Sequence, residues 1–172
     1  MPLRQQVAER LFLVSAAAAV LIAADLGVKA TIPTLPWHFH ERSSAWEVLC
    51  VLVLLGALAL ARIPSRAVAV GAGILSGGVA GNLLSARWND NLVPNPLVIG
   101  DYPTWIAFNA ADVFILVGIL ILMVSLSAVT ISHRERLIPP RHVGAALPRR
   151  LDPESRSSGG APGADARSTS QL

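Results

Sequence analysis

The chain has 172 residues, 53% of them hydrophobic and 15% charged, with a mean hydropathy of +0.55. That balance excludes a water-soluble domain of this length and makes lipid the solvent. The net charge of +3 and pI near 10.0 do not point to nucleic acid, because the basic residues flank apolar segments and form no patch interleaved with aromatics.

A bilayer core takes roughly 20 apolar residues per helix, so the apolar part of the chain has room for about four crossings. Residues 1–10 read as a short cytoplasmic N-terminus. The first predicted helix, about 11–29, is rich in alanine with Phe12, Val14, Val20, Leu21 and Ile22. Its basic approach, Arg4 and Arg10, also suits a secretory signal, but no clear small-residue cleavage site follows and Asp25 and Lys29 close it. It reads as an uncleaved helix. The second, about 46–61, is dense in Leu and Val and is stopped by Arg62, Pro64 and Arg66. The third, about 67–86, carries Gly71, Gly73, Gly77, Gly78 and Gly81, small residues that mark close helix contacts in lipid and assign it to the bundle centre. The fourth, about 106–131, has Asn109 and Asp112 near its start and is apolar from Val117 to Met123.

The expected fold is an all-α four-helix membrane bundle over residues 11–138, with extracytoplasmic loops and a disordered cytoplasmic tail over 139–172. The tail is rich in Pro, Gly, Ser, Ala and Arg and has no periodic apolar face to offset its chain entropy. With four crossings, one side holds Arg4, Arg10, Arg62, Arg66, Arg134, Arg136, Arg141, Arg149, Arg150, Arg156 and Arg167. The other holds Lys29, Arg42 and Arg87. Cytoplasmic loops carry the basic excess, so both termini are expected in the cytoplasm. Trp37, Trp88 and Trp105 in the outer loops suit interfacial anchoring. The single cysteine, Cys50, sits in an apolar run and leaves neither an intrachain disulfide nor a cysteine metal set.

An ionisable group near the centre of a membrane helix costs at least about 2.5 kcal/mol and is a functional-site hypothesis by default. Asp25 and Lys29 are four apart at the outer end of the first helix and share a face, where they can pair. Asn82 ends the glycine-rich segment, and Asn109 and Asp112 begin the last. Three helices thus bring two acids, two amides and a lysine toward one depth.

Phe108-Asn109-Ala110-Ala111-Asp112 resembles the FN-x-AD motif of the lipoprotein signal peptidase (signal peptidase II) family. Gly77-Gly78-Val79-Ala80-Gly81-Asn82-Leu83-Leu84 is similar to that family's GGAxGNLxDR segment, and Asp25 to Lys29 to its D-Q-x-x-K. Order, spacing and helix placement agree over about residues 10–130. The resemblance implies a multi-pass aspartic endopeptidase of the bacterial inner membrane with its site at the extracytoplasmic face. Such an enzyme removes signal peptides from diacylglyceryl-modified prolipoproteins. It implies membrane lipid and those prolipoproteins as partners, no nucleic acid, no metal and no organic cofactor; it sets no oligomeric state. Asp112 becomes one catalytic carboxylate, Asn82, Asn109 and Arg87 substrate-binding groups, and Asp25 with Lys29 the polar pair fixing the first helix against the pocket.

The second carboxylate is missing. The family's V-x-D-F stretch corresponds to Val93-Pro94-Asn95-Pro96-Leu97, which puts Asn95 where the partner Asp belongs. An amide neither acts as a base nor shares a proton with Asp112. The Asp and Arg of GNLxDR become Ser85 and Ala86, with Arg87 shifted one place, and the N-x-GAAF segment appears only as Glu41-Arg42-Ser43-Ser44-Ala45-Trp46. Three readings follow. Asp101 or Asp90 supplies the second carboxylate of a peptidase; the chain is a non-catalytic relative binding lipid-modified peptides or a membrane partner; or the bundle is a small transporter or structural subunit. Sparse polarity toward the inner face disfavours the last.

Overall fold

The computed structural model describes residues 3–101 and 103–134; the tail expected from Pro139 onward lies outside them. Among the described residues four helices form, α1 (Leu3–Thr31), α2 (Ser44–Leu60), α3 (Arg66–Trp88) and α4 (Ala110–Ser132). α1, α3 and α4 are long and apolar enough to cross a membrane. α2 has 17 residues, about 26 Å at 1.5 Å per residue against a hydrocarbon core of about 30 Å. Ser43 caps α2 by accepting from the Trp46 amide, and Ser65 caps α3 by accepting from the Val68 amide, each at 3.3 Å.

Two helix starts differ from the sequence reading. α1 begins at Leu3 rather than near residue 11, because Arg4, Gln5, Gln6 and Glu9 are good helix formers whose polarity says nothing against a helix outside the lipid. α4 begins at Ala110 rather than 106: Ile106–Phe108 is a strand, and Asn109 with Asp112 closes a reciprocal capping box that sets the helix start.

α3 is the centre of the described bundle. Buried residues make up 61% of its most apolar window, against 11% for α1 and 17% for α4. Its small residues permit this. A Cβ at Gly73 would lie 2.9 Å from the Val14 carbonyl oxygen, and one at Gly78 would lie 2.5 Å from the Ala111 carbonyl oxygen. The sequence of contacts, Gly73 near Val14, Gly77 near Ala18 and Gly81 near Asp25, runs α3 parallel to α1. Gly71 near Leu122 and Gly78 near Ala111 run it antiparallel to α4. Val14, Ala57, Ala61, Val68, Ala69, Ala72 and Leu122 fill the core, while Leu52, Leu55, Leu116, Leu120 and Val124 face outward. Those outward aliphatic rows fit a lipid surround.

One end of the bundle is basic. Arg10 is buried and donates from Nε to the Ala61 carbonyl oxygen at 2.9 Å, satisfying a carbonyl at the end of α2. Arg66 pairs with Glu9 at 2.6 Å. Arg10 thus ties α1 to α2 besides carrying charge.

The opposite end carries short strands that the sequence reading left as loops. β1 (Phe39–Glu41) pairs antiparallel with β2 (Leu92–Pro94), and β3 (Leu97–Ile99) with β4 (Ile106–Phe108). β1 lies between α1 and α2; the others lie between α3 and α4. Trp37 and Trp88 are exposed, and Trp105 packs on His38 with ring centroids 4.6 Å apart.

Candidate active site

The start of α4 is where four chain segments meet. An α-helix leaves its first amides without internal partners. Here the Asn109 side chain accepts from the Asp112 amide at 3.1 Å, and the Asp25 carboxylate on α1 accepts from the Ala111 amide at 2.9 Å. Asp25 is fully buried, so its negative charge sits at the positive end of the α4 dipole.

Lys29, one turn further along α1, uses all three of its protons. It donates to Asp25 Oδ2 at 2.6 Å, Asn82 Oδ1 at 2.9 Å and Ser85 Oγ at 3.0 Å. An ammonium only donates, so Asn82 must turn its oxygen to Lys29 and its NH₂ elsewhere. That NH₂ donates to Asp112 Oδ1 at 2.9 Å. The other Asp112 oxygen accepts from the Asn109 backbone amide at 3.1 Å. Asp112 is therefore oriented as an acceptor by groups on α3 and at its own helix cap.

The same logic fixes a second chain on the strand side. Asn109 Oδ1 is committed to the Asp112 amide, so Asn109 Nδ2 donates to Asn95 Oδ1 at 2.6 Å. Asn95 Nδ2 then faces His40 Nδ1 at 3.0 Å and the Ala107 carbonyl oxygen at 3.4 Å. The His40 Nδ1 accepts, which leaves the ring proton on Nε2. Asn95 and Asn109 are both buried, and the Asn95 backbone amide donates to His38 O at 3.1 Å. Every polar atom of the Asn95 side chain is engaged.

Asp112 and Asn82 line a cavity of about 290 Å³ together with Arg42, Trp46, Leu49, Cys50, Val53, Val79 and Ile115. Its walls are apolar apart from a carboxylate, an amide and a guanidinium. Arg42 is held at its backbone by donation to Asn91 O at 2.8 Å, and its guanidinium carbon lies 5.1 Å from the centroid of the Trp46 ring.

Of the residues singled out in the sequence, Asp25, Lys29, Asn82, Asn95, Asn109 and Asp112 belong to one hydrogen-bonded network. Three do not. Arg87 pairs with Glu47 at 2.7 Å, with its side chain 64% exposed. Asp90 is an exposed turn residue with φ +51° just after α3, a left-handed position that Asp and Asn tolerate. Asp101 follows Gly100 on the β3–β4 connection and lines a separate cavity with Trp37, His38 and Trp105. His40 and Arg42 are the functional candidates that spacing did not reveal. His40 sits on a three-residue strand too short to show alternation, and Arg42 appeared in the charge count and in the divergent 41–46 stretch without a role of its own. Among the described residues no three His, Cys, Asp or Glu side chains gather as a metal set.

Of the comparisons with known proteins, one gives a family and one a fold. The family model described as signal peptidase (SPase) II matches residues 34–128. A solved structure described as a bacterial membrane enzyme, determined by the in meso method at 2.3 Å resolution, superposes with a TM-score of 0.55 at 14% identity. The match covers 73% of this chain and 94% of that one, and at that identity it speaks to the fold. The curated proteins contain no match. With the family model spanning more than half of the sequence, over the α2 to α4 region that carries Asn82, Asn109 and Asp112, the chain belongs to the signal peptidase II family.

Proposed function

We propose that the chain is a lipoprotein signal peptidase of altered active site, cutting diacylglyceryl-modified prolipoproteins with Asp112 as the acid and base. The observation that carries this reading is the Asp112 carboxylate, held by Asn82 and the Asn109 amide and open to an apolar-walled cavity. Family membership supports a signal-peptidase-like activity on membrane-embedded lipoproteins. The proposed arrangement is four crossings, both termini in the cytoplasm and the site at the extracytoplasmic face. Supporting it, the basic end with Arg10 and Arg66 lies opposite the Asp112 end, as a basic cytoplasmic excess requires. Asn82 and Asn109 are proposed to orient Asp112 and meet the substrate backbone, and Asp25 with Lys29 to brace that arrangement.

A second reading rests on Asn95. The sequence resemblance assigns its amide to the position of the family's other carboxylate, and the amide is fully hydrogen-bonded; with that assignment, two-carboxylate chemistry has no second acid there. On this reading the chain is a non-catalytic relative that binds lipid-modified peptides. Asp101 and Asp90, which lie outside the network, lend the relocated-dyad alternative no support. A transport role has none either, since α4 carries no ionisable residue between Asp112 and its far end.

The deciding experiment is cleavage of a diacylglyceryl-modified prolipoprotein by the detergent-solubilised full chain beside Asp112→Asn, Asp101→Asn, Asp90→Asn and Asn95→Asp. The proposal expects cleavage by the unmutated chain, lost in Asp112→Asn and retained in the two loop variants. Substrate binding without cleavage, with activity appearing only in Asn95→Asp, would establish the non-catalytic relative.

A further inference from the structure

Asp112 and Arg42 face the same cavity of about 290 Å³ and form no ion pair with each other: Asp112 takes its hydrogen bonds from Asn82 and the Asn109 amide. Among the described residues, the buried Nε of Arg42 has no hydrogen-bond partner. A guanidinium cannot give up its charge, and a buried unpaired donor costs about 1–3 kcal/mol or more, so a group that satisfies it only when bound is strongly favoured. The Arg42 position is nonetheless well fixed. Its amide is tied to Asn91, the next residue caps α2, and Trp46 one turn into α2 lies beneath the guanidinium.

We propose that Arg42 takes over the task of the missing second carboxylate, binding the scissile carbonyl oxygen of the substrate peptide as charge develops on it. This rests on the peptidase reading of the site. In a two-carboxylate site one acid takes a proton from water while the other donates to the carbonyl oxygen. A fixed cation performs the second function without transferring a proton. Asp112 accepts a proton from the attacking water, whose oxygen bonds to the carbonyl carbon. The carbonyl π pair moves to oxygen, and the resulting oxyanion is held by Arg42 N–H donors. The pair then returns, the C–N bond breaks, and the proton on Asp112 passes to the leaving nitrogen. The products are the signal peptide with a free carboxyl group and the lipoprotein with a free amino terminus. Arg42 ends unchanged, and no other reactant is consumed. The apolar walls, Leu49, Val53, Val79 and Ile115, suit the apolar stretch of a signal peptide.

The test compares the unmutated chain with Arg42→Ala, Arg42→Lys and Asp112→Asn on the same prolipoprotein, with kcat and KM measured separately and thermal unfolding recorded for each. Loss of an oxyanion donor lowers kcat by about 100-fold or more and leaves KM near its starting value. Arg42→Lys should recover part of that loss, and added millimolar guanidinium should restore turnover to Arg42→Ala but not to Asp112→Asn. Cleavage by Arg42→Ala within a few-fold of the unmutated chain, with Asp112→Asn inactive, overturns the role of Arg42 and leaves the peptidase reading standing. A raised KM or lowered unfolding temperature without guanidinium rescue makes Arg42 a structural residue and likewise overturns the proposal. An unmutated chain that does not cleave removes the peptidase reading itself, and this role with it.

Discussion

The two sides of the α4 start are built on different principles. On the helix side, Asp25, Lys29, Asn82 and Asp112 sit on three packed helices, and each charged group has fixed hydrogen-bond partners. On the strand side, His40 is the middle residue of β1 and Asn95 follows directly on β2, and the two are joined by a neutral hydrogen bond. The helix side keeps Asp25, Lys29, Asn82 and Asp112 from the pattern the sequence resembles, with Ser85 as a departure among them, and the strand side carries the departure at Asn95. The reason is physical. Asp25 and Asn109 satisfy backbone amides of α4, so losing them would damage the fold as well as the site. A residue at position 95 caps no helix, and the amide there has all its hydrogen-bonding atoms engaged.

The sharpest way to break that comparison is Asp25→Ala. Asp25 and Lys29 have side chains 0% and 5% exposed, and removing the acid leaves a buried ammonium short of its counter-charge. A loss of about 3–5 kcal/mol is expected, read from chemical unfolding in detergent followed by tryptophan fluorescence. Next comes Gly78→Ala, whose new methyl meets the Ala111 carbonyl and Ile115 and forces α3 from α4. It should cost about 1–3 kcal/mol in the same titration. On the strand side, His40→Ala removes one neutral hydrogen bond from an exposed residue and should cost about 1 kcal/mol. If it rivals Asp25→Ala, the strand side is no looser than the helix side and the comparison fails. Smallest is Arg87→Gln: its exposed pair with Glu47 predicts a change below about 1 kcal/mol.

Much of the helix side was legible because helical spacing is strict. Residues three or four apart share a face, so Asp25 with Lys29 and Asn109 with Asp112 could be grouped from the sequence. The glycines of α3 similarly announced close packing, and Asn82 at its end followed. The strand side was not legible. Pairings of three residues give no usable alternation, and nothing in Phe39-His40-Glu41 says that His40 meets a residue 55 positions later. Arg42 was hidden differently: counted among topology charges, it shows another use only once Trp46 and the Asp112 cavity are seen beside it. The capping box also moved the helix start, since Asn109 reads as a polar interruption in the sequence and as a boundary in the fold.

The two faces presented by the helices also bear on how this sequence can drift. Along α3, a methyl at position 73, 78 or 81 would press on α1 or α4, so those sites admit almost no exchange. Across the outward rows of α2 and α4, by contrast, Leu52, Leu116 and Leu120 expose more than half of their surface to the surround. Any apolar residue of sufficient hydropathy serves there, and generations of exchange among Leu, Ile, Val and Phe go unopposed. A bundle so divided can keep its backbone path at an identity as low as the 14% seen in the structural superposition.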